Sequence, residues 1–206
     1  MLYLLSILFI ILLICVVWRV ACRSYNIPWP HWLAWVLKNP YMLVFCHPEE
    51  IAKRVSVSGA DKVLDLGCGA GRISIPVAKR LSSQGSLLGV DLQARMVSKA
   101  LSYADKESVS ERCSFEVIDI LEQDIRGRFD KIIIVTVLGE IPNIDLVMQK
   151  ISSMLSEDGV VSVTEVIPDP CYVSKSSLKS LFEKHGFKVS KLYGGPLSYT
   201  MNFSKC

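Results

Sequence analysis

Three glycines at alternate positions directly follow a short apolar run, and no other feature of the sequence constrains the fold as strongly. The segment reads Val63-Leu-Asp-Leu-Gly-Cys-Gly-Ala-Gly-Arg72. Glycine lets the backbone turn sharply and lets a ligand approach it without an intervening Cβ. A helix that begins after the turn presents its unpaired N–H groups to the same ligand. The segment therefore predicts a strand, a tight turn and a helix in succession.

Short apolar runs alternate with longer amphipathic stretches from about Glu49 onward. Seven runs are predicted strands: Lys62–Leu66, Ser86–Asp91, Cys113–Asp119, Lys131–Thr136, Gly159–Glu165, Phe187–Tyr193 and Ser198–Phe203. Four stretches are predicted helices: Arg72–Leu81, Ala94–Ala104, Asp145–Leu155 and Ser176–Lys184. Strands that alternate with helices form parallel sheets, and two closely spaced strands form a hairpin. We expect an α/β fold with a doubly wound seven-stranded sheet, in which five parallel strands precede a C-terminal edge hairpin.

Two acidic residues are predicted to lie beside the glycine turn. Asp65, at the tip of the first strand, suits a cationic or zwitterionic ligand better than a pyrophosphate, which a carboxylate repels. Twenty positions beyond Gly71, the second strand ends at Asp91, where a carboxylate can accept both hydroxyls of a ribose. A dinucleotide would use the same acid, but its G-x-G-x-x-G pattern requires glycine where Arg72 stands. The spacing therefore disfavours a nicotinamide or flavin dinucleotide.

The D-x-G-x-G-x-G segment resembles the class I S-adenosylmethionine-dependent methyltransferase family, and the likeness runs from about Val55 to the C-terminus. It implies a Rossmann-like methyltransferase with S-adenosyl-L-methionine as cofactor. The glycine turn would hold the methionine portion, Asp91 the ribose, Asp119 the adenine, and Thr136 to Glu140 would face the transferred methyl. The implied cofactor-binding residues are Asp65, Gly67, Cys68, Gly69, Gly71, Asp91, Leu92, Asp119, Ile120 and Thr136. Two alternatives stay open, because Asp119 at a strand end also fits a capping role and Cys68 also fits a small spacer.

Methyl transfer needs a base only if the acceptor must lose a proton. Ligands of this architecture bind outside the carboxyl ends of the parallel strands, and candidate groups are predicted there. The candidate catalytic residues are Glu140, Glu165, Asp169 and Tyr172. Acids next to proline are also common in turns, so a turn or capping role for Glu140 and Asp169 is an equal alternative. The seven Cys and three His lack metal-ligand spacing, and we expect no metal site.

The start of the chain is predicted to cross a membrane. Residues Leu2 to Cys22 are apolar except for Ser6 and Arg19, which is about the length needed to span a bilayer core. A cleaved signal peptide is disfavoured because no basic residue precedes the run and no small-x-small site follows it. Arg19, Arg23 and Lys38 flank its C-terminal side, so the positive-inside rule places the remainder in the cytoplasm.

We expect three parts in this chain: a transmembrane anchor over residues 1–23, a Trp-rich interfacial connector over residues 24–48, and an S-adenosylmethionine-binding methyltransferase domain over residues 49–206. All four Trp lie within the first 35 residues. Trp rings favour the headgroup layer of a bilayer. The alternative is that these rings cover the core of the following domain.

The charge balance and the predicted anchor bear on the partners. All 20 Asp and Glu lie beyond residue 48 together with 20 of the 23 Lys and Arg, so the domain is balanced and no nucleic-acid partner is expected. Half of the 206 residues are hydrophobic, which is enough for a packed core. The expected partners are the lipid bilayer and a lipophilic acceptor, either a phospholipid headgroup or a quinone-like molecule. A protein side-chain acceptor and a non-catalytic cofactor-binding module are the alternatives.

Overall fold

The computed structural model describes Ser6, residues 44–167 and residues 169–206. The helices are α1 (Pro48–Val55), α2 (Ser74–Ala78), α3 (Ala94–Lys106), α4 (Ile144–Met154) and α5 (Lys175–Lys184). The strands are β1 (Lys62–Leu66), β2 (Ser86–Asp91), β3 (Cys113–Val117), β4 (Phe129–Val135), β5 (Leu155–Val166), β6 (Phe187–Gly194) and β7 (Ser198–Lys205). A 3₁₀ turn, Leu138–Glu140, follows β4.

The seven strands form one sheet in the order β3-β2-β1-β4-β5-β7-β6. The first five strands pair in parallel, and β7 runs antiparallel between β5 and β6. This confirms the predicted α/β class, the seven-strand count and the C-terminal hairpin. The strand order reverses between β1 and β4, and a reversal of this kind opens a crevice at the carboxyl ends of the strands.

The core lies on both faces of the sheet because successive residues of a strand point to opposite sides. Val63 packs with the buried sides of α1, α2 and α3, whereas its neighbour Leu64 packs with α4 and α5. The ring of Phe182 in α5 stacks on that of Phe203 in β7, with centroids 3.9 Å apart. This contact fixes α5 to the hairpin, and truncating Phe182 to alanine should cost about 3–5 kcal/mol.

Several boundaries differ from the predicted ones, and three of the differences have a local reason. β3 ends at Val117, two residues before the predicted end, because the Asp119 side chain begins a turn by accepting the N–H of Leu121. β5 begins at Leu155, which pairs with Phe129 before an irregularity in the β4 register. α2 covers only Ser74–Ala78, and single-turn bonds such as Leu81 N–H to the Ala78 carbonyl replace the rest of the predicted helix.

α1 was not among the predicted helices, although its sequence carries the usual start and stop signals. Pro48 occupies the first turn together with two acids, and Lys53 and Arg54 lie in the last turn. Proline fits the first helical position, and these charges complement the helix dipole. α1 packs against α2, β5 and β7, on the sheet face that also carries the glycine turn.

No helix in the part of the chain that the structure describes is long and apolar enough to cross a bilayer. The anchor predicted over residues 1–23 lies outside the described residues apart from Ser6, and so does the connector up to residue 43. Both therefore stay predictions.

Candidate functional site

The turn between β1 and α2, residues 67–71, is called the glycine loop here. The N–H groups of Gly67 and Cys68 both donate to the Val90 carbonyl, at 2.8 and 2.9 Å, so the loop is tied to the end of β2. Gly67 has φ +78°, and a Cβ there would overlap the Val137 side chain. Gly69 has φ +53°, but a Cβ there would meet no atom within 4 Å. The glycine loop is thus closely packed against Val137 at Gly67, whereas the space next to Gly69 is open.

Asp91 holds this loop from the tip of the neighbouring strand. Its Oδ2 accepts the N–H of Gly69 at 2.9 Å, and its Oδ1 accepts the N–H of Gln93 at 2.8 Å. Burial raises the pKa of the carboxyl, and the two N–H donors oppose this effect. Each oxygen has a second lone pair for a ligand hydroxyl. The adjacent Leu92 is 55% exposed, which leaves an apolar side chain at the rim of the crevice.

Asp65 lies beneath the loop, and its side chain is only 2% exposed. Its Oδ2 accepts the Ser74 hydroxyl at 2.5 Å, which joins β1 to α2. Burial raises the pKa of Asp65 to about 7, and the nearby charge of Asp91 adds to the effect. The structure therefore gives Asp65 a supporting position under the loop, and direct contact with a ligand stays a prediction.

The remaining predicted cofactor residues differ in their accessibility. Oδ1 of Asp119 accepts the N–H of Leu121 at 2.8 Å, so the turn role left open from the sequence is present, and an adenine contact stays a prediction. The Ile120 side chain packs in the core and is 7% exposed, and its contact with the cofactor stays a prediction. Burial raises the pKa of the Cys68 thiol, as do the charges of Asp65 and Asp91, so this side chain stays a neutral spacer.

Thr136 ends β4 in an unusual backbone conformation. Its φ is +54°, in the left-handed region that non-glycine residues rarely occupy. Its N–H donates to the Thr164 carbonyl at 2.9 Å, and the following residue, Val137, packs against the glycine loop. Such strain is concentrated at functional sites, where surrounding contacts maintain it. The end of β4 is thus fixed beside the glycine loop.

Three carboxyl groups interact with one another at the ends of β4 and β5: Glu140 follows β4, Glu165 lies near the end of β5, and Asp169 follows β5. They are called the acidic cluster. Glu165 is 1% exposed, and its pKa is raised well above the usual range by burial and by the charges of Asp169 and Glu140. Burial and Glu165 also raise the pKa of Tyr172. The structure therefore brings together all four residues that the sequence suggested for catalysis.

Tyr199 completes this group and was not predicted. It lies opposite Glu165 in the β5–β7 register, and its ring meets that of Tyr172 edge to face at 6.0 Å. Its hydroxyl donates to the Val173 carbonyl at 2.6 Å, while Oε2 of Glu165 accepts the Val173 N–H at 3.2 Å. Tyr199 and Glu165 are more than thirty positions apart in the sequence. Their proximity therefore follows only from the pairing of the hairpin with β5.

The implied cofactor fits the residues that are present. The open space above Gly69 is a cradle that a Cβ would partly fill, and the Asp91 carboxylate lies at its edge. The surrounding acids suit the positive sulfonium and amino groups of S-adenosylmethionine and disfavour a pyrophosphate. Among the described residues, no group of three His, Cys, Asp or Glu is arranged to hold a metal ion.

Comparison with known proteins agrees with this geometry. The family model described as "Methyltransferase domain" matches residues 58–193. A demethylmenaquinone methyltransferase of Lactobacillus johnsonii is 26% identical over 132 residues, which cover 64% of this chain and 54% of that protein. A ubiquinone biosynthesis O-methyltransferase of Bradyrhizobium diazoefficiens is 29% identical over 118 residues, covering 56% and 44%. The chain thus spans about half the length of the curated relatives it matches.

Solved structures show the same architecture. The crystal structure of a SAM-dependent methyltransferase from Aquifex aeolicus superposes with a TM-score of 0.73 at 19% identity, over 85% of this chain and 98% of that one. At this identity the likeness shows the fold alone. The family model, in contrast, matches well over half of the sequence and includes the glycine loop, Asp91 and the acidic cluster. The chain therefore belongs to the methyltransferase domain family.

Proposed function

We propose that this protein is an S-adenosylmethionine-dependent methyltransferase that acts at the cytoplasmic face of a membrane on a lipid-phase acceptor, either a phospholipid headgroup or a quinone-like molecule. The observation that carries the proposal is the bond from the Gly69 N–H to Asp91, which holds an open cradle next to the acidic cluster. Cofactor residues and acceptor residues thus lie at the same edge of the sheet.

When bound, S-adenosylmethionine supplies a methyl group on a positively charged sulfur. The chain's own residues mainly align the reactants, because a positive leaving group already drives the transfer. Asp91 and the glycine loop would hold the ribose and methionine portions. Glu140, Asp169 and Tyr172 are half-buried around Glu165, and they would orient the acceptor and exclude water.

Two further observations favour a lipid-phase acceptor. The apolar run at the start of the sequence would keep the domain at a bilayer and raise the local concentration of membrane-resident acceptors. Two of the matched relatives are named for demethylmenaquinone and for ubiquinone biosynthesis. A protein side chain is the second candidate acceptor, because the anchor would bring membrane proteins equally close.

The test follows label from methyl-labelled S-adenosylmethionine in membranes that contain the full-length protein. Label is measured in the organic phase, in precipitated protein and in water. We expect label in the organic phase, and at least a tenfold loss in Asp91→Asn because that change weakens the cradle. Asp158→Asn, an exposed acid at the opposite end of β5, is the matched control and should label normally.

The distribution of label decides among the alternatives. Label that appears only in protein would move the acceptor to a side chain. Absence of label in every fraction, with cofactor binding intact by calorimetry, would establish a non-catalytic binding module instead.

A further inference from the structure

Glu165 is a buried carboxyl group with one unsatisfied oxygen. Its Oε2 accepts the Val173 N–H, but its Oε1 is buried and has no hydrogen-bond partner in the described part of the chain. Buried polar atoms in folded proteins almost always have a partner, and an exception in a crevice suggests a missing one. The charges of Asp169 and Glu140 both act on its ionisation, so Glu165 lies close to these two carboxyl groups.

The acidic cluster is connected to the glycine loop by continuous packing. Val137 contacts Gly67, and the 3₁₀ turn Leu138–Glu140 follows it directly. A Cβ at Gly139 would overlap the Cys171 carbonyl, so residues 169–173 are pressed against this turn. Glu165 accepts the Val173 N–H and Tyr199 donates to the Val173 carbonyl, so Val173 is held on both sides of its Cα. The acidic cluster is therefore joined to the glycine loop through Val137 and the 3₁₀ turn.

The titratable groups around Glu165 come from four elements. Glu140 lies on the 3₁₀ turn, Asp169 and Tyr172 lie on the loop after β5, and Tyr199 lies on β7. From α5, the Lys175 ammonium stands over the Tyr199 ring, 5.5 Å from its centroid. Aromatic faces bind ammonium groups, and the Lys175 ammonium occupies the face of Tyr199 beside the acidic cluster.

These charges discriminate between acceptor chemistries. A phenol must become a phenolate to be methylated, and neighbouring carboxylates raise the energy of that anion. An amine enters as an ammonium and leaves as a methylated ammonium, and the same carboxylates stabilise both cations. Resting on the proposed function, we infer that the acceptor atom is the nitrogen of a primary amine in a lipid headgroup, bound by the acidic cluster beside the half-buried ring of Tyr172.

The proposed step balances without a further reactant. The ammonium first gives one proton to a carboxylate of the acidic cluster and becomes a neutral amine. Its nitrogen lone pair then forms the new N–C bond while the C–S bond of the sulfonium breaks. The sulfur keeps the bonding pair and becomes neutral, and the nitrogen carries the positive charge. The proton is accepted by Glu165 directly, or passes to it from Glu140 or Asp169, which are less buried.

The activity test uses full-length protein in phosphatidylcholine vesicles that contain phosphatidylethanolamine, N-acetylated phosphatidylethanolamine or an isoprenoid hydroquinone. We expect label from the cofactor in phosphatidylethanolamine, at least tenfold above the other two vesicles. Label in the hydroquinone alone would overturn the amine acceptor and leave the proposed function standing. Label in protein alone, or in no vesicle although cofactor binds, would overturn both.

A binding test gives a readout that does not depend on turnover. Dihexanoyl phosphatidylethanolamine is titrated into the full-length protein with S-adenosylhomocysteine present, in two buffers of different ionisation enthalpy, at several pH values above the usual pKa of a carboxyl group. The incoming ammonium should lower the pKa of Glu165 and release a proton, which the difference between the buffers measures. Glu165→Gln should abolish this release. Glu157→Gln, an exposed acid near the start of the same strand, should retain it.

A second variant keeps the test decisive if Glu165→Gln does not fold. Asp169→Asn preserves an oxygen for the Cys171 N–H but removes one charge from the acidic cluster. We expect it to weaken binding of the amine lipid about tenfold and to leave S-adenosylhomocysteine binding unchanged. Unchanged amine binding in Asp169→Asn, or unchanged proton release in a folded Glu165→Gln, would overturn the inference.

Discussion

Gly67 and Gly69 have the same sign of φ but different surroundings, so an alanine at each position should have a different effect. At Gly67 a Cβ overlaps Val137, and we expect the free energy of unfolding to fall by about 2–4 kcal/mol. At Gly69 the Cβ enters open space, so the cost is the backbone strain of about 1–2 kcal/mol. Because that space is the cradle, Gly69→Ala should still lower S-adenosylhomocysteine affinity at least tenfold. Urea unfolding and calorimetry separate the two effects, and normal affinity in Gly69→Ala would place the cofactor elsewhere.

Asp65 should make the stability of the fold depend on pH. Its pKa is near 3.8 when unfolded and about 7 when folded, because burial disfavours the charged form. Between these values the unfolded chain binds fewer protons, so this residue's contribution to stability is full below about pH 4 and is lost as pH rises to about 7. The slope for one such group is at most about 1.4 kcal/mol per pH unit.

Asp65→Asn should remove that slope while its amide oxygen still accepts the Ser74 hydroxyl. The variant therefore gains stability relative to the wild type as pH rises from 5 to 8, and urea unfolding across this range measures the difference. If the free energies of unfolding of the two proteins differed by the same amount throughout this pH range, Asp65 would be ionised in the folded state.

The predicted residues divide according to the kind of signal that the sequence carries. The glycine spacing and Asp91 were accessible because they depend on chain positions near strand ends, and the structure joins Gly69 to Asp91 directly. The burial of Ile120 and the contacts of Tyr199 were not accessible, since each depends on which distant segment packs on it. The local sequence pattern was thus sufficient to locate the crevice. Which side chains line it depends on tertiary packing, which the pattern does not contain.

Helix α1 is joined to the glycine loop by Arg72, the residue that follows the last loop glycine. Its guanidinium donates to the carbonyl and to the sulfur of Cys46, at 2.8 and 2.9 Å, just before α1 begins. The planar fork of arginine reaches both acceptors, whereas a lysine ammonium cannot reproduce that geometry. We expect Arg72→Lys to lower the free energy of unfolding by about 1–2 kcal/mol.

Limited proteolysis tests the same attachment locally. In Arg72→Lys, cleavage around residues 44–47 should be faster than in the wild type, because opening of this segment becomes less costly. Arg126→Lys, an exposed arginine in the loop between β3 and β4, is the matched control and should be cleaved at the wild-type rate. Equal cleavage of the two variants would show that packing of α1, not Arg72, holds the segment.

The sequence predicted the presence of most strands and helices correctly, but it predicted their first and last residues less well. β1 and β2 have their predicted bounds because glycine and charged residues mark both ends. β5 begins four residues before its predicted start, since pairing of Leu155 with Phe129 outweighs the local preference. α1 was not predicted because eight residues make only about two turns and give a weak periodic pattern, although its capping pattern was present in the sequence.

Across the whole chain, the sheet order places every proposed site on one edge. The reversal between β1 and β4 brings the glycine loop and Asp91 to the same edge as the acidic cluster, although these groups lie in distant parts of the sequence. The membrane proposal adds a constraint on how this edge is used, because a lipid headgroup must reach the crevice while the domain stays attached to the bilayer.

That attachment can be tested in the full-length chain by charge. Leu8→Arg combined with Leu12→Arg puts two arginines within the apolar run, and each costs about 2.5–3.5 kcal/mol at the centre of a membrane helix. We expect this double variant to leave the carbonate-washed membrane pellet, to bind S-adenosylhomocysteine normally and to lose at least tenfold in labelling of vesicle lipid. Asn26→Arg with Asn39→Arg adds the same charge outside the run and should stay in the pellet. If the Leu8 and Leu12 variant also stayed there, the Trp-rich connector would be the attachment, and the run would have another role.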